Sequence, residues 1–353
     1  MIYFITSTLA NNAPNQVLSD ISKNIKQENK ICYIRETDKE KLPYFQYIEE
    51  KPIKVSKNKH SFKKEDVLIL NDIICLNEFK DVDAKKIAIV HSNLKDEYKV
   101  VRNSLPSFKK IKIFLKEKYH EKLLKEVDMT VGVSENVEEY LKKIGVKNRT
   151  YICNAIDYSK MPNFKKEFLG TLNIVQTGNI TEGKNIIGSL FLIKKMIDNG
   201  IDLRLHICGH VFSDKYMEEV KKTISSLELQ KYIICHGFLS KEQLFEHYKY
   251  MDMFIMLSKV EGLSLALLES LYFGMVPVVS DYPSLSSVVK SIKKGFIIDK
   301  SNREVDDLIA YVKQRKYVDD YKIISHRSKA VFDFEKMIKK YEKVILEVQK
   351  DAE

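Results

Sequence analysis

Glu261 and Glu269 stand eight positions apart inside the largely apolar stretch 258–280, SKVEGLSLALLESLYFGMVPVVS. Paired carboxylates are the equipment of acid–base or nucleophilic chemistry, and a hydrolase site needs the two to converge on one bond. Here one precedes a helix and the other lies within it, so spacing alone leaves their separation open. The ordinary alternative is that both sit in salt bridges to lysines. Gly262 and Ser264 read as loop and helix N-cap, 265–273 as a buried helix, Gly274 as its stop and 276–279 as a strand. Glu269 is flanked by Leu265, Leu267, Leu268, Leu271, Tyr272 and Phe273. Burying its charge unpartnered costs on the order of several kcal/mol, so something polar must meet it.

A second candidate is the loop 178–184, Gly-Asn-Ile-Thr-Glu-Gly-Lys, which follows a strand and opens a helix. Its backbone N–H groups and Lys184 suit a diphosphate, although glycine and lysine at a helix start also serve as ordinary capping. The loop is not a Walker A sequence and lacks G-x-G-x-x-G, which disfavours nicotinamide and flavin cofactors. His206, Cys208 and His210 alternate along a strand, with Cys235 and His236 on a neighbouring one; no spacing matches zinc ligation, and core packing is the favoured reading. Asp81-Val82-Asp83 lies in a charged stretch and reads as a solvated loop.

These residues need α/β units to position them. The first begins with a strand at 2–5, a polar loop at 6–14 and a helix carrying Val17, Leu18, Ile21 and Ile25. Short apolar runs at 31–34, 67–70, 87–90 and 129–133 have the look of strands buried in a parallel sheet. A linker is expected over 151–168. Beyond it, strands at 173–176, 202–208, 233–235 and 253–257 alternate with helices at 186–198, 215–227 and 241–250, giving a second doubly wound sheet. A last helix at 334–348 has an apolar face of Met337, Ile338, Tyr341, Ile345 and Val348.

The chain has 353 residues, 44% hydrophobic and 31% charged, which indicates a globular protein of two domains. No run approaches the ~20 apolar residues of a membrane span, and the first residues read as a strand and not as a targeting segment. Five scattered cysteines suit reduced thiols in a cytoplasmic setting. Residues 1–165 hold 31 Lys and Arg against 23 Asp and Glu, and the remainder 28 against 26. A basic first half favours acidic partners such as phosphate-bearing lipids, an anionic membrane or nucleic acid. Within it, 109–127 places Ile111, Phe114, Leu115, Tyr119, Leu123 and Val127 near helical spacing among lysines. That helix reads either as a membrane-surface or acidic-acceptor contact, or as a core helix with a solvated charged face, the favoured of the two.

Taken together and in order, several passages resemble the retaining glycosyltransferases of the GT-B fold, in the "glycosyl transferases group 1" family. They are Glu261-Gly262-Leu263 to Leu268-Glu269, then Gly274-Met275-Val276-Pro277-Val278-Val279, Val133-Ser134-Glu135 with Asn154-Ala155-Ile156-Asp157, Gly178 with Lys184-Asn185, and Gly237-Phe238-Leu239. The chain departs from the family pattern at Asn179, where Arg or Lys usually stands. It departs also at Asn11, Asn12 and Ala13, in place of paired glycines, and at Ala155, in place of one glycine.

The resemblance implies two Rossmann-like domains facing a cleft, 1–165 and 166–332, with the C-terminal helix of 333–353 crossing back to the first. The second domain would bind a nucleotide-diphosphate sugar, UDP-sugar ahead of GDP-sugar, through Gly178, Asn179, Lys184, Phe238, Leu239, Glu261, Gly262, Leu263, Ser264 and Glu269. Glu269 would meet the ribose and Glu261 the sugar, while Lys184 would stabilise charge on the leaving diphosphate. His91 resembles a family histidine near the donor sugar, against the plainer reading of a strand-end cap. No metal or other cofactor is implied, and no nucleic acid. The first domain would hold a glycan, lipid-linked or protein acceptor in surface glycan assembly, in the cytoplasm or at the inner face of the membrane. A non-catalytic glycosyltransferase-like subunit and a nucleotide-sugar epimerase are the alternatives. Sugar, linkage and oligomeric state stay open.

Overall fold

The computed structural model describes residues 1–9, 12–35, 53–56, 61–103, 105–299 and 303–350. Positions 10 and 11 of the predicted loop 6–14, and 351–353 of the predicted C-terminal segment, lie outside the described residues. The chain divides into two compact units, Met1–Asn154 with Phe334–Glu353, and Ala155–Asp333. Most of the stretch predicted as a linker over 151–168 therefore folds with the second unit.

The first unit opens with β1 (Ile2–Thr6), α1 (Ala13–Asn24), β2 (Asn29–Tyr33), β3 (Ile53–Lys54), β4 (Val67–Leu70) and α2 (Ile73–Phe79). It continues with β5 (Lys85–Val90), α3 (Leu94–Asn103), α4 (Ser107–Leu124), β6 (Met129–Gly132), α5 (Glu135–Ile144) and β7 (Arg149–Tyr151). Its strands form one parallel sheet in the order β3-β2-β1-β4-β5-β6-β7. The order reverses direction between β1 and β4, which makes that the switch point of the unit. β4 is buried along its whole length, the reason its sequence is an unbroken apolar run. Asp81 and Asp83 lie in the turn before β5, both exposed.

The second unit runs β8 (Leu172–Thr177), α6 (Ile186–Asp198), β9 (Leu203–Cys208), α7 (Asp214–Ser226), β10 (Ile233–Gly237) and α8 (Lys241–Tyr248). β11 (Met253–Met256), α9 (Leu265–Tyr272), β12 (Val276–Ser280), α10 (Pro283–Ile292), β13 (Phe296–Ile298), α11 (Arg303–Lys313) and α12 (Tyr317–Val331) follow. The final helix, α13 (Phe334–Lys350), belongs to the first unit, where it packs on β4, β5 and α1. The sheet order β10-β9-β8-β11-β12-β13 is that of a doubly wound dinucleotide fold, with its switch point between β8 and β11. The helices α10 to α12 have no counterpart in the elements expected from sequence. Among the described residues, no helix is long and apolar enough to cross a membrane, and all five cysteines are free.

The lysine-rich helix α4 corrects the favoured expectation of a core helix with a solvated charged face. Phe108, Ile111, Phe114, Leu115 and Tyr119 are exposed, Phe108 to 75% and Ile111 to 67%, whereas Glu117, His120 and Glu121 are buried. The reason lies in α3, which offers polar partners. Arg102 pairs with Glu117, and the Tyr98 hydroxyl meets His120 Nδ1 at 2.6 Å. A carboxylate matched to a guanidinium in this way holds its side of the helix inward, and the apolar side is left to solvent.

At the end of α9, Gly274 adopts φ 72°, and a Cβ there would come within 2.5 Å of the Tyr321 carbonyl oxygen on α12. Gly274→Ala is therefore expected to destabilise the second unit. The left-handed backbone alone costs about 1–3 kcal/mol, and the collision adds to it. Urea unfolding with an unchanged denaturant slope measures the loss; a variant as stable as wild type would contradict the contact.

Candidate functional site

In open parallel sheets ligands sit beyond the carboxyl ends of strands at the switch point. In the second unit that position is flanked by the loops after β8 and β11; two hydrogen bonds tie these loops together and a third holds the first loop to β8. Lys259 N–H donates to the Gly183 carbonyl (2.8 Å), Asn185 Nδ2 donates to the Leu257 carbonyl (3.0 Å), and Gln176 Nε2 donates to the Lys184 carbonyl (3.0 Å). Asn185 takes a left-handed conformation, φ 50°, between the short turn Glu182–Lys184 and α6. Asparagine tolerates this better than most residues.

Lys184 and Glu261, 77 positions apart in sequence, meet in this position: Nζ lies 2.5 Å from Oε2, with the side chains 25% and 15% exposed. Gly178, in contact range of the lysine, takes φ 128°, a backbone conformation that side-chain-bearing residues rarely adopt. Gly209, at the end of β9, allows the loop after β8 to settle on it; a Cβ at 209 would lie 1.9 Å from the Gly178 carbonyl oxygen. Ser284 Oγ donates to the Glu261 carbonyl (2.9 Å) and fixes the loop from the far side. Asn179 is exposed beside Gly178.

Glu269 is buried on α9, and its partner is Lys241, Nζ to Oε1 at 2.7 Å. The polar group required by its apolar surroundings is thus a lysine that sequence reasoning missed. The available signal was the helix start at Ser240, whose capping box with Gln243 sets Lys241 in the first turn of α8. Both glutamates are therefore in ion pairs, as the ordinary alternative held, yet the Lys184–Glu261 pair lies in the strand-end loops, the usual place for ligands in open parallel sheets. Ser264 caps α9 as expected, accepting from Leu267 N–H, and Gly262 and Leu263 lie in the loop before it. Phe238, 48% exposed, and Leu239 follow the left-handed Gly237 at the end of β10.

His91 belongs to the first unit, just past β5. Its Nε2 is 2.9 Å from Asn71 Oδ1, and Asn71 Nδ2 donates to Asn15 Oδ1 (3.1 Å), which also accepts from the Thr6 hydroxyl (2.6 Å). A polar chain thus spans the ends of β1, β4 and β5, with His91 lining a cavity of ≈ 170 Å³ beside Asn71, Asp72, Ser92 and Glu97. Asn71, Asn15 and Thr6 carried no sequence signal, because asparagine and threonine at strand ends are everyday turn residues.

Of the suggested strand cluster, Cys208, His210 and Cys235 do not gather as ligands. His206 and His236 do come together, with His247 from α8, which was not anticipated.

Residues 157–322 match the family described as Glycosyl transferases group 1. The match covers just under half of the chain and lies within the second unit. The chain is 23% identical over 175 residues to a GDP-mannose:cellobiosyl-diphosphopolyprenol alpha-mannosyltransferase of Xanthomonas oryzae pv. oryzae, covering 49% of this chain and 46% of that one. The chain thus spans about half the length of that relative. It is also 23% identical over 373 residues to the O-antigen biosynthesis glycosyltransferase WclY of Escherichia coli, covering 97% of each. Among solved structures, Anabaena Alr3699/HepE in complex with UDP and glucose is similar with a TM-score of 0.76 at 12% identity, over 98% of both chains. The fold is accordingly GT-B, with two Rossmann-like doubly wound units.

Desolvation pushes the His91 pKa down from 6.5 to about 4, against the opposing charge of Asp72. Between those values the unfolded chain binds a proton that the folded chain does not. The contribution to stability is full above pH 6.5 and is lost as pH falls toward 4. Chemical denaturation from about pH 7 down to about pH 4.5 is expected to show falling stability, and His91→Gln to flatten that fall. Identical pH profiles for the two proteins would place the titration elsewhere.

Proposed function

We propose that this chain is a retaining glycosyltransferase that moves a hexose or N-acetylhexosamine from a nucleotide-diphosphate sugar, UDP ahead of GDP, to an acceptor hydroxyl. One observation carries the reading: Lys184 and Glu261 meet across the switch point of the second unit, with Glu269 on the helix that follows. A bond between sugar and diphosphate needs a cation on one side and hydroxyl acceptors on the other. The pair offers both within one contact.

With a donor in place, the diphosphate takes Lys184 from Glu261 and stabilises its charge there as the sugar departs, a task for which no metal is required. The carboxylate so released accepts from sugar hydroxyls. Glu269, with Oε1 held by Lys241, accepts from the ribose. Gly178, Asn179, Gly262, Leu263 and Ser264 line the phosphate and sugar, and Phe238 and Leu239 face the base. His91, neutral at pH 7 and donating through Nε2 to Asn71, belongs to a polar chain of the first unit suited to orienting sugar hydroxyls.

The acceptor in this reading is lipid-linked and held by the first unit. The exposed Phe108, Ile111 and Leu115 lie among Lys109, Lys110, Lys112 and Lys116 on α4, a combination suited to an anionic membrane surface. The diphosphopolyprenol acceptor in the name of the Xanthomonas relative fits the same chemistry.

Purified protein given a panel of nucleotide sugars without added Mg²⁺ or Mn²⁺ is expected to release nucleotide slowly from one donor. Lys184→Ala and Glu261→Ala should each lower that rate about 100-fold or more. Binding without turnover, even with acceptors present, would favour a non-catalytic subunit, and isomerised sugar an epimerase. Glu269→Ala is expected to abolish the thermal shift produced by UDP or GDP; an unchanged shift removes the ribose role.

Sedimentation with phosphatidylglycerol-containing vesicles should carry the wild-type chain down at low salt. The Phe108→Ser, Ile111→Ser, Leu115→Ser variant is expected to stay in the supernatant. Equal sedimentation of the two would exclude α4 as the contact.

A further inference from the structure

His206 on β9, His236 on β10 and His247 near the end of α8 present ring nitrogens to one another. His206 Nδ1 lies 3.0 Å from His236 Nε2 and 3.1 Å from His247 Nε2. The approach depends on a bulge. The β9–β10 register shifts between Cys235 and Gly237, leaving His236 unpaired and turned toward His206, which lies opposite Ile234.

Hydrogen bonding assigns the tautomer of His206. Asn173 Nδ2 donates to the Thr171 carbonyl (2.9 Å), so its Oδ1 faces His206 Nε2 (3.2 Å) and accepts from it. The proton on Nε2 leaves a lone pair on Nδ1, the atom both other rings approach. One lone pair serves two N–H donors poorly, so the three rings do not satisfy each other. A cation satisfies all three at once, and an imidazole fixed by donating its other N–H to an oxygen is the usual support of a metal ligand.

We propose that His206, His236 and His247 form a binding site for a divalent transition-metal ion of the zinc class. Ligand nitrogens about 2.0–2.1 Å from tetrahedral zinc stand roughly 3.3 Å apart. The two short contacts are within a few tenths of that, and the nitrogens all lie within 4.8 Å of one another. Desolvation lowers the pKa of all three, His206 and His247 to about 4, so the rings are neutral near pH 7 and keep their lone pairs. His236 and His247 are partly exposed, which leaves a path for the ion and a fourth position for water. Neutral imidazoles select zinc, copper or nickel over magnesium or calcium. None of the three belongs to the donor residues proposed above. The ion clamps α8 to the sheet and leaves the transfer chemistry to Lys184 and the glutamates.

Equilibrium dialysis of the metal-stripped chain against ZnCl₂, with MgCl₂ as control, tests this directly. One zinc per chain is expected, with a raised melting temperature, no response to magnesium, and binding at least about tenfold weaker in His236→Ala and His247→Ala. Both variants should keep the wild-type circular dichroism spectrum. Should either fail to fold, the Co²⁺-substituted wild type decides. Tetrahedral d–d bands without thiolate charge transfer support the three-imidazole site. A thiolate band would assign the metal to Cys208 or Cys235 and overturn it, as would zinc binding no tighter than in the variants.

Discussion

The ion pair of Lys184 and Glu261 is the contact on which the ligand end of the second unit depends. Each charge is three-quarters or more withdrawn from water, and either alone would be costly to hold there. Each instead compensates the other, and the loops after β8 and β11 are fastened on both sides of the contact by backbone and amide hydrogen bonds. The result is a charged site whose two members hold each other in place, and in the proposed reading a ligand bearing phosphate and hydroxyls draws on both. Glu269 and Lys241 repeat the device one helix away, with the carboxylate more deeply buried.

The two units use the same topology with different chemistry. In the second, the switch point carries opposite charges. In the first, the corresponding position between β1 and β4 carries the neutral chain of Thr6, Asn15, Asn71 and His91 beside a single carboxylate, Asp72, which caps α2 and accepts from Ser7 N–H. The neutral chain suits a site that orients hydroxyl groups, and the charged pair suits one that meets a leaving diphosphate. The helix α4 belongs to the same division of labour. Its polar side is matched by α3 and its apolar side is exposed among lysines, so the basic excess of the first half of the sequence is displayed together with hydrophobic surface.

The doubly wound fold was legible in the sequence because strands buried on both faces have little choice of composition. β4 and α6 coincide with the segments read from the apolar runs at 67–70 and 186–198. Their apolar patterns end at polar or glycine positions that local chemistry alone explains. The short edge strand β3 was not legible, since a two-residue strand has no period. Helix α11 carries a signal that went unread, with Val305, Leu308, Ile309 and Val312 buried at helical spacing, whereas α12 packs on α9, far back in the chain. Helix α4 was misjudged for a related reason: periodicity locates an apolar face, whereas burial depends on which neighbour arrives, and α3 offered arginine and tyrosine.

By itself, then, the sequence determined the core strands of both sheets, helices α6 to α9, the loop with Gly178 and Lys184, and the apolar setting of Glu269, because each follows from near neighbours in the chain. Only the tertiary structure decided what those residues touch. Lys184 reaches Glu261 across 77 positions, Glu269 finds Lys241, and three histidines from two strands and a helix share one point. Such pairings depend on sheet order, a bulge and helix orientation, which arise from the packing of the whole unit and leave no mark in local spacing.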